Sequence, residues 1–395
     1  MIRISIPYLI TIFFSILILV IGHNVVVNDG VGSFNNSRNE IVRAKVVEVI
    51  ERITPEYDEL MGSMMPGNKI IFEALVTSKS RRGELLTAEQ NMSSLSKNRL
   101  REVKAGDSVL LINNYISWNF EGYLRVNWLI ILGIFFVICL LVFGGKKGFN
   151  TVLSLVLTCV SVFAIFIPSI LSGKNIYLMS ILICFYNIVT TPLIIMGYNK
   201  KSLSAVAGCL AGVMISGIIA IVMDRLMSLT GINEHSRYLV SLPGGIDLNL
   251  NAVIFAGIII GAMGAVMDVS ISISSSLWEV KEKAKEISFK ELLKSGINIG
   301  KDIMGTMADT LILAYIGSSL TAVLLLSVIS QSFLGLFNSE MIAVEILQAL
   351  AGSFGILFAM PLTALFCSLI YLKAPAEKGA DTKPEDDIKM SSISQ

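Results

Sequence analysis

Gly257, Gly261, Gly264, Asp268, Ser272 and Ser275 recur at steps of four, three, four, four and three inside an otherwise apolar run. At about 3.6 residues per turn, that spacing predicts one helix face. Glycine and serine let helix backbones approach closely in lipid. An aspartate on such a face needs a partner or water, so Asp268 is expected to point into a helix bundle. Asn298, Asp302, Gly305 and Asp309, spaced four, three and four, form a second face of the same kind. Two consecutive antiparallel helices would hold Asp268 ~12 Å and Asp309 ~9 Å from their cytoplasmic ends, at about 1.5 Å per residue. The pair would then flank one polar cavity, with Lys301 and Asp302 at its mouth. Paired carboxylates at low dielectric titrate together and can carry a proton or bind a cation. The candidate path residues are Asp268, Asp302, Asp309, Ser272, Asn298 and Lys301. The competing expectation is structural: Asp268 accepts hydrogen bonds from neighbouring hydroxyls, and Asp309 caps a short interfacial helix.

Gly257, Gly261, Gly264 and Gly305 are the expected packing positions, and Pro192 the expected hinge. Around Pro192 stand Asn187, Thr190 and Thr191. Proline removes a backbone donor and threonine hydroxyls can satisfy the freed carbonyl. Either a kink or a discontinuous helix lining a substrate path fits this segment. Gly208 and Gly212 make a GxxxG step suited to packing. Glu345 and Gln348 are expected at a membrane interface, and Leu242 to Asp247 as a turn.

Chemistry of other kinds finds little support. His23 and His235 stand far apart, and the five cysteines lie in apolar runs without metal-ligand spacing. No metal or cofactor is expected, and the cysteines read as small apolar fillers. There is no HExxH and no P-loop. Two aspartates on consecutive spans suggest an intramembrane aspartyl protease. However, Met267 precedes Asp268 where presenilin-like proteases have tyrosine, and Thr-Met-Ala precedes Asp309 in place of Gly-x-Gly.

The elements that must position these residues follow from composition. Of 395 residues, 54% are hydrophobic and 15% charged, against about 25% charged in a soluble domain. A soluble enzyme and a disordered chain are excluded. The net charge of +1 gives no bulk field for nucleic acid. Eight runs are long enough to cross a bilayer: 4–21, 126–143, 149–171, 176–196, 203–227, 252–276, 303–329 and 342–372. Lysines cluster after the second (Lys146, Lys147), fourth (Lys200, Lys201), sixth (Lys281 to Lys294) and eighth (Lys373, Lys378). Positive charge stays inside, so both termini are expected in the cytoplasm. The first run fits an uncleaved anchor (1–23) better than a signal peptide, because no small-x-small cleavage site follows it.

Residues 24–125 are read as an extracytoplasmic β-rich domain. Strands are expected at Glu40 to Glu51, Lys69 to Ser78, Leu85 to Glu89 and Lys104 to Asn113, making a small antiparallel barrel. Arg81 and Arg82 beside Gly83 read as a solvated turn. Trp118, Phe120, Tyr123 and Trp128 read as interfacial aromatics. Leu277 to Lys294 is either an amphipathic surface helix or two helices joined at Ile287-Ser288, with Ser288 and Glu291 in capping-box spacing. Residues 126–372 form a seven-span domain and 373–395 a disordered cytoplasmic tail. The fold class is thus an α-helical polytopic membrane protein of about eight transmembrane helices with a small extracytoplasmic β-barrel-like domain.

The strings GAMGAVMDVSISI (261–273), FKEL (289–292) and GKDIMGTM (300–307) together resemble the YibE/F-like family of bacterial membrane proteins. The soluble domain after a first span matches that layout too. The resemblance implies a polytopic plasma-membrane protein without an established activity. It places Asp268 and Asp302 inside the motif, whereas at Asp309 the family more often has an amide. The leading functional expectation is a transporter or permease for a small solute or ion. The alternative is a membrane scaffold or sensor using the external domain. The lipid bilayer is the expected partner, a homo-oligomer is compatible, and nucleic acid is not expected.

Overall fold

A computed structural model describes residues 6–27, 40–53, 68–78, 81–92, 101–114, 117–232, 248–284, 286–329 and 332–372. The expected tail (373–395), the 242–247 turn and His235 lie outside them. The described residues fall into two compact units, Gly32–Phe149 and Met1–Val31 with Asn150–Gln395.

The first unit holds five strands: β1 (Ile41–Ile53), β2 (Asn68–Val76), β3 (Leu85–Met92), β4 (Ser108–Asn113) and β5 (Trp118–Tyr123). They close into a barrel in the order β1-β2-β3-β5-β4. Neighbours are antiparallel except β3 and β5, which run parallel. Alternating side chains fill the interior: Val42, Ala44 and Val46 from β1, Ile70 and Phe72 from β2, Val109 and Leu111 from β4. Strand periodicity of two sends one face of each inward. Gln90 is the polar exception in the core. Its carbonyl accepts from the Val103 amide (3.0 Å) and its amide donates to the Arg101 carbonyl (3.1 Å).

Four of the five strands match the expected segments. Trp118, Phe120 and Tyr123 require a correction, because they form β5. Phe120 and Tyr123 stack edge to face at 5.1 Å against the barrel core. Trp128 does start a membrane-type helix and is 75% exposed. Arg81 sits in the expected turn, paired with Glu40 and Glu84.

The helices are α1 (Ile6–Val27), α2 (Val126–Leu171), α3 (Ile176–Met196), α4 (Lys200–Met227), α5 (Leu250–Lys283), α6 (Phe289–Ile329), the short α7 (Phe333–Phe337) and α8 (Glu340–Leu372). Among the described residues six of them, α2 to α6 and α8, are long and apolar enough to cross a membrane. The sequence gives two spans where α2 is a single assigned helix. Gly145 breaks it with φ 52° and ψ −126°, and the chain turns so sharply that Gly148 comes against the Leu140 carbonyl. A side chain at 148 would collide there, so the bend requires that glycine. A π-helical stretch, Ser161–Phe166, follows. Buried Ser161 and Asn187 of α3 exchange hydrogen bonds of 3.0 and 3.1 Å across it.

α4, α5 and α8 form the packed centre. Gly208 meets Thr363, and Gly212 meets Ala359, Val266 and the Gly355 carbonyl, as a GxxxG step allows. Ser216 donates to the Ala351 carbonyl (2.9 Å). Lower in the same core, Tyr371 and Ser204 hydroxyls lie 3.0 Å apart and Tyr371 donates to the Ser274 carbonyl (2.9 Å). Cys184, Cys209 and Cys367 are buried fillers among these helices, whereas Cys159 is exposed. Tyr186 of α3 donates to the Ser15 carbonyl of α1 (3.3 Å), and His23 lies 3.0 Å from the Ala164 carbonyl.

Candidate functional site

The α5–α6 connection settles the 277–294 segment. α5 runs on to Lys283, and α6 starts at Phe289 with Ser288 as its cap. Glu291 accepts from the Ser288 amide (2.9 Å) and hydroxyl (2.7 Å), a capping box. The two helices then run antiparallel in contact. Leu277 meets Gly296, Ile273 meets Gly300, and the Tyr315 hydroxyl lies against Gly261. That register puts Asp268 level with the Gly305–Ala308 turn, within about one turn of the height of Asp309. The expected match in depth is therefore present.

The faces differ from expectation. The buried side of α5 is Ala262, Val266, Val269 and Ile273. The stripe of Gly257, Gly261, Gly264, Asp268 and Ser272 is exposed on the single chain. Of its glycines, Gly261 lies under Tyr315, a side chain at Gly257 would come into ordinary contact with the Gln348 amide nitrogen, and one at Gly264 would meet open space. The reason is that Val, Ile and Ala occupy the opposite face and satisfy the demand for packing against α4 and α8. α6 behaves likewise. Leu292, Gly296 and Gly300 are buried, and Gly300 meets Met360. Asn298, Lys301, Asp302, Gly305 and Asp309 are exposed on the other side.

Among the described residues, the side chains of Asp268, Asp302, Asp309, Ser272, Asn298 and Lys301 make no hydrogen bond or ion pair. Every ion pair found there lies in the barrel, and no cluster of metal-ligating side chains occurs. Asp268 accepts no hydroxyl hydrogen bond, and Asp309 lies mid-helix in α6, so neither structural expectation for them is realised among the described residues. The structure brings Asp268 and Asp309 to one depth without bringing them into contact. Pro192 is buried, and α3 runs unbroken through it. A discontinuous helix is therefore not formed. Thr190 donates to the Tyr186 carbonyl (2.9 Å), and Thr191 receives Ser154 (3.0 Å).

Three residues join the upper end of the stripe that spacing did not single out. Tyr315, Glu345 and Gln348 are half-buried near Gly257 and Gly261, with Glu345 in electrostatic reach of the Tyr315 hydroxyl. Glu345 and Gln348 were expected at an interface. Both stand within the first turns of α8, which begins at Glu340; the Glu340 carboxylate receives the Thr230 amide (2.7 Å), the Thr230 hydroxyl (2.7 Å) and the Gly231 amide (2.5 Å).

The assembled surface is a strip of small residues carrying Asp268, flanked by the acidic outer face of α6 and headed by Tyr315, Glu345 and Gln348. No curated protein and no solved structure matches the chain. A family model for YibE/F-like proteins matches residues 132–373. The match covers more than half of the chain and takes in α5, α6 and the whole strip. This chain belongs to the YibE/F-like protein family.

Proposed function

We propose that this protein is a multi-pass transporter or permease of the bacterial cell membrane, moving a small solute or ion along the α5–α6 strip. One observation carries the reading: Asp268 is a carboxylate in the middle of an apolar helix, on a face of glycine and serine, without a side-chain partner among the described residues. A charge at that depth is costly unless it serves a path or a partner. The reading holds eight spans, with the bend at Gly145 supporting two arms in α2. It keeps both termini in the cytoplasm, on the side of the lysine-rich loops, and the barrel outside. It assigns no covalent chemistry to the chain and no resident metal. The Asp268 carboxylate would give up its solvation to a cation or take up a proton as the solute passes.

The test is flux in proteoliposomes across a panel of ions and metabolites, at several pH values. Asp268→Asn is expected to abolish flux and its pH dependence while the helical content stays unchanged. Undiminished flux in that variant would remove the mechanism.

A further inference from the structure

We infer that the exposed α5–α6 face is an interface with a second copy of this chain, and that the polar strip is only half of its site until that copy closes it. Asp268, Asp302 and Asp309 lie on the surface of the single chain at membrane depth, without a partner among the described residues. Lipid supplies no hydrogen bond to such groups. The first arm of α2 is no substitute, because beyond Trp128 it carries no hydrogen-bonding side chain except Cys139 before Gly144. The face itself holds both halves of the chemistry. Lys301, Asn298 and Ser272 are donors not engaged among the described residues, and the three aspartates are acceptors. Thr306 and Thr310 contribute no free donor, since each hydroxyl already donates to its own helix backbone, at 2.9 and 2.7 Å.

A two-fold interface must be self-complementary. An axis along the membrane normal sets equal heights opposite each other, so Lys301 of one copy comes level with the Asn298–Asp302 turn of the other. Steric fit agrees with this. A side chain at Gly264 or Gly305 would meet nothing within 4 Å in the single chain, yet glycine at both positions is what a close helix approach in lipid uses. Gly208, Gly212, Gly296 and Gly300 are used inside the chain, where a Cβ would collide with neighbouring atoms. Gly264 and Gly305 have no such internal use.

The proposal rests on the transport reading only in calling the closed strip a path; the pairing itself is tested separately. The full chain is placed in lipid nanodiscs at low loading, and its mass is measured. Two copies per disc are expected. Gly264→Leu with Gly305→Leu should shift the population to one copy with unchanged helical content, because a Cβ at either position has nothing within 4 Å in its own chain. A photoreactive side chain at Thr306 in the otherwise native protein should give a covalent dimer. The same group at Ile181, exposed on α3, should give none. Single copies for the native chain, or a doubly substituted chain that remains paired, would overturn the inference. Asp268-dependent flux from a single-copy protein would sink the pairing and leave the transport reading. A stable pair without flux would do the reverse.

Discussion

The glycines divide into two kinds that the sequence writes identically. Gly300 faces Met360 and Ile273 in a packed seam, whereas Gly264 faces open space. Overpacking a core costs about 1–3 kcal/mol, so Gly300→Leu should lower the melting temperature in detergent markedly. Gly264→Ala should leave it unchanged or raise it, since replacing helical glycine gains about 0.4–1 kcal/mol. Equal losses in both would contradict the assignment of faces. Tyr371 is a second residue-scale case. Its hydroxyl joins Ser204 and Ser274 in the packed centre, and Tyr371→Phe should cost about 1–3 kcal/mol by leaving those groups short of a partner. In the barrel, burial and then the negative charge of Asp107 push the Tyr123 phenol above its ordinary value. A raised acid in the folded state means its contribution is full below the unfolded pKa of about 10 and is lost as pH rises through the folded value. Barrel stability should therefore fall on alkalinisation above that point. The Tyr123→Phe chain should show a shallower fall, as read by near-ultraviolet circular dichroism.

At the scale of elements, local signals were legible wherever the chain satisfies its own ends. Ser288 and Glu291 announce the start of α6 by spacing alone, and the capping box is formed. Ser288→Ala should cost about 1 kcal/mol of local helix stability. It should also speed hydrogen exchange at residues 289–292 while leaving the rest of α6 unchanged. β5 was not legible. Trp118, Phe120 and Tyr123 adjoin a membrane helix, where interfacial aromatics are ordinary. Only pairing with β4, and parallel with β3, makes a strand of them. Pro192 shows the opposite case. Its local signal allows a kink or a break, and buried Pro192 lies inside a helix that continues from Ile176 to Met196.

At the scale of the whole molecule, the barrel and the helical unit are separate compact bodies. If the helical unit alone carries transport, deletion of residues 40–120 should leave Asp268-dependent flux in place. If instead the barrel is a partner-binding sensor, the same deletion should abolish every response. Flux before and after the deletion separates the two. The sequence by itself determined the class: too little charge for a soluble surface, apolar runs of membrane length, a β-rich insert, and one helix face bearing Asp268. These follow from composition and periodicity, which are properties of the chain near each residue. The tertiary structure decided which way that face turns. Spacing gives the angle between residues around a helix but not the direction of the helix relative to its neighbours. The rotation of α5 was set by competition between its two faces for α4 and α8, and the Val-Ile-Ala face filled that contact. Asp268 was left on the opposite side, at the depth of Asp309 and without a partner among the described residues.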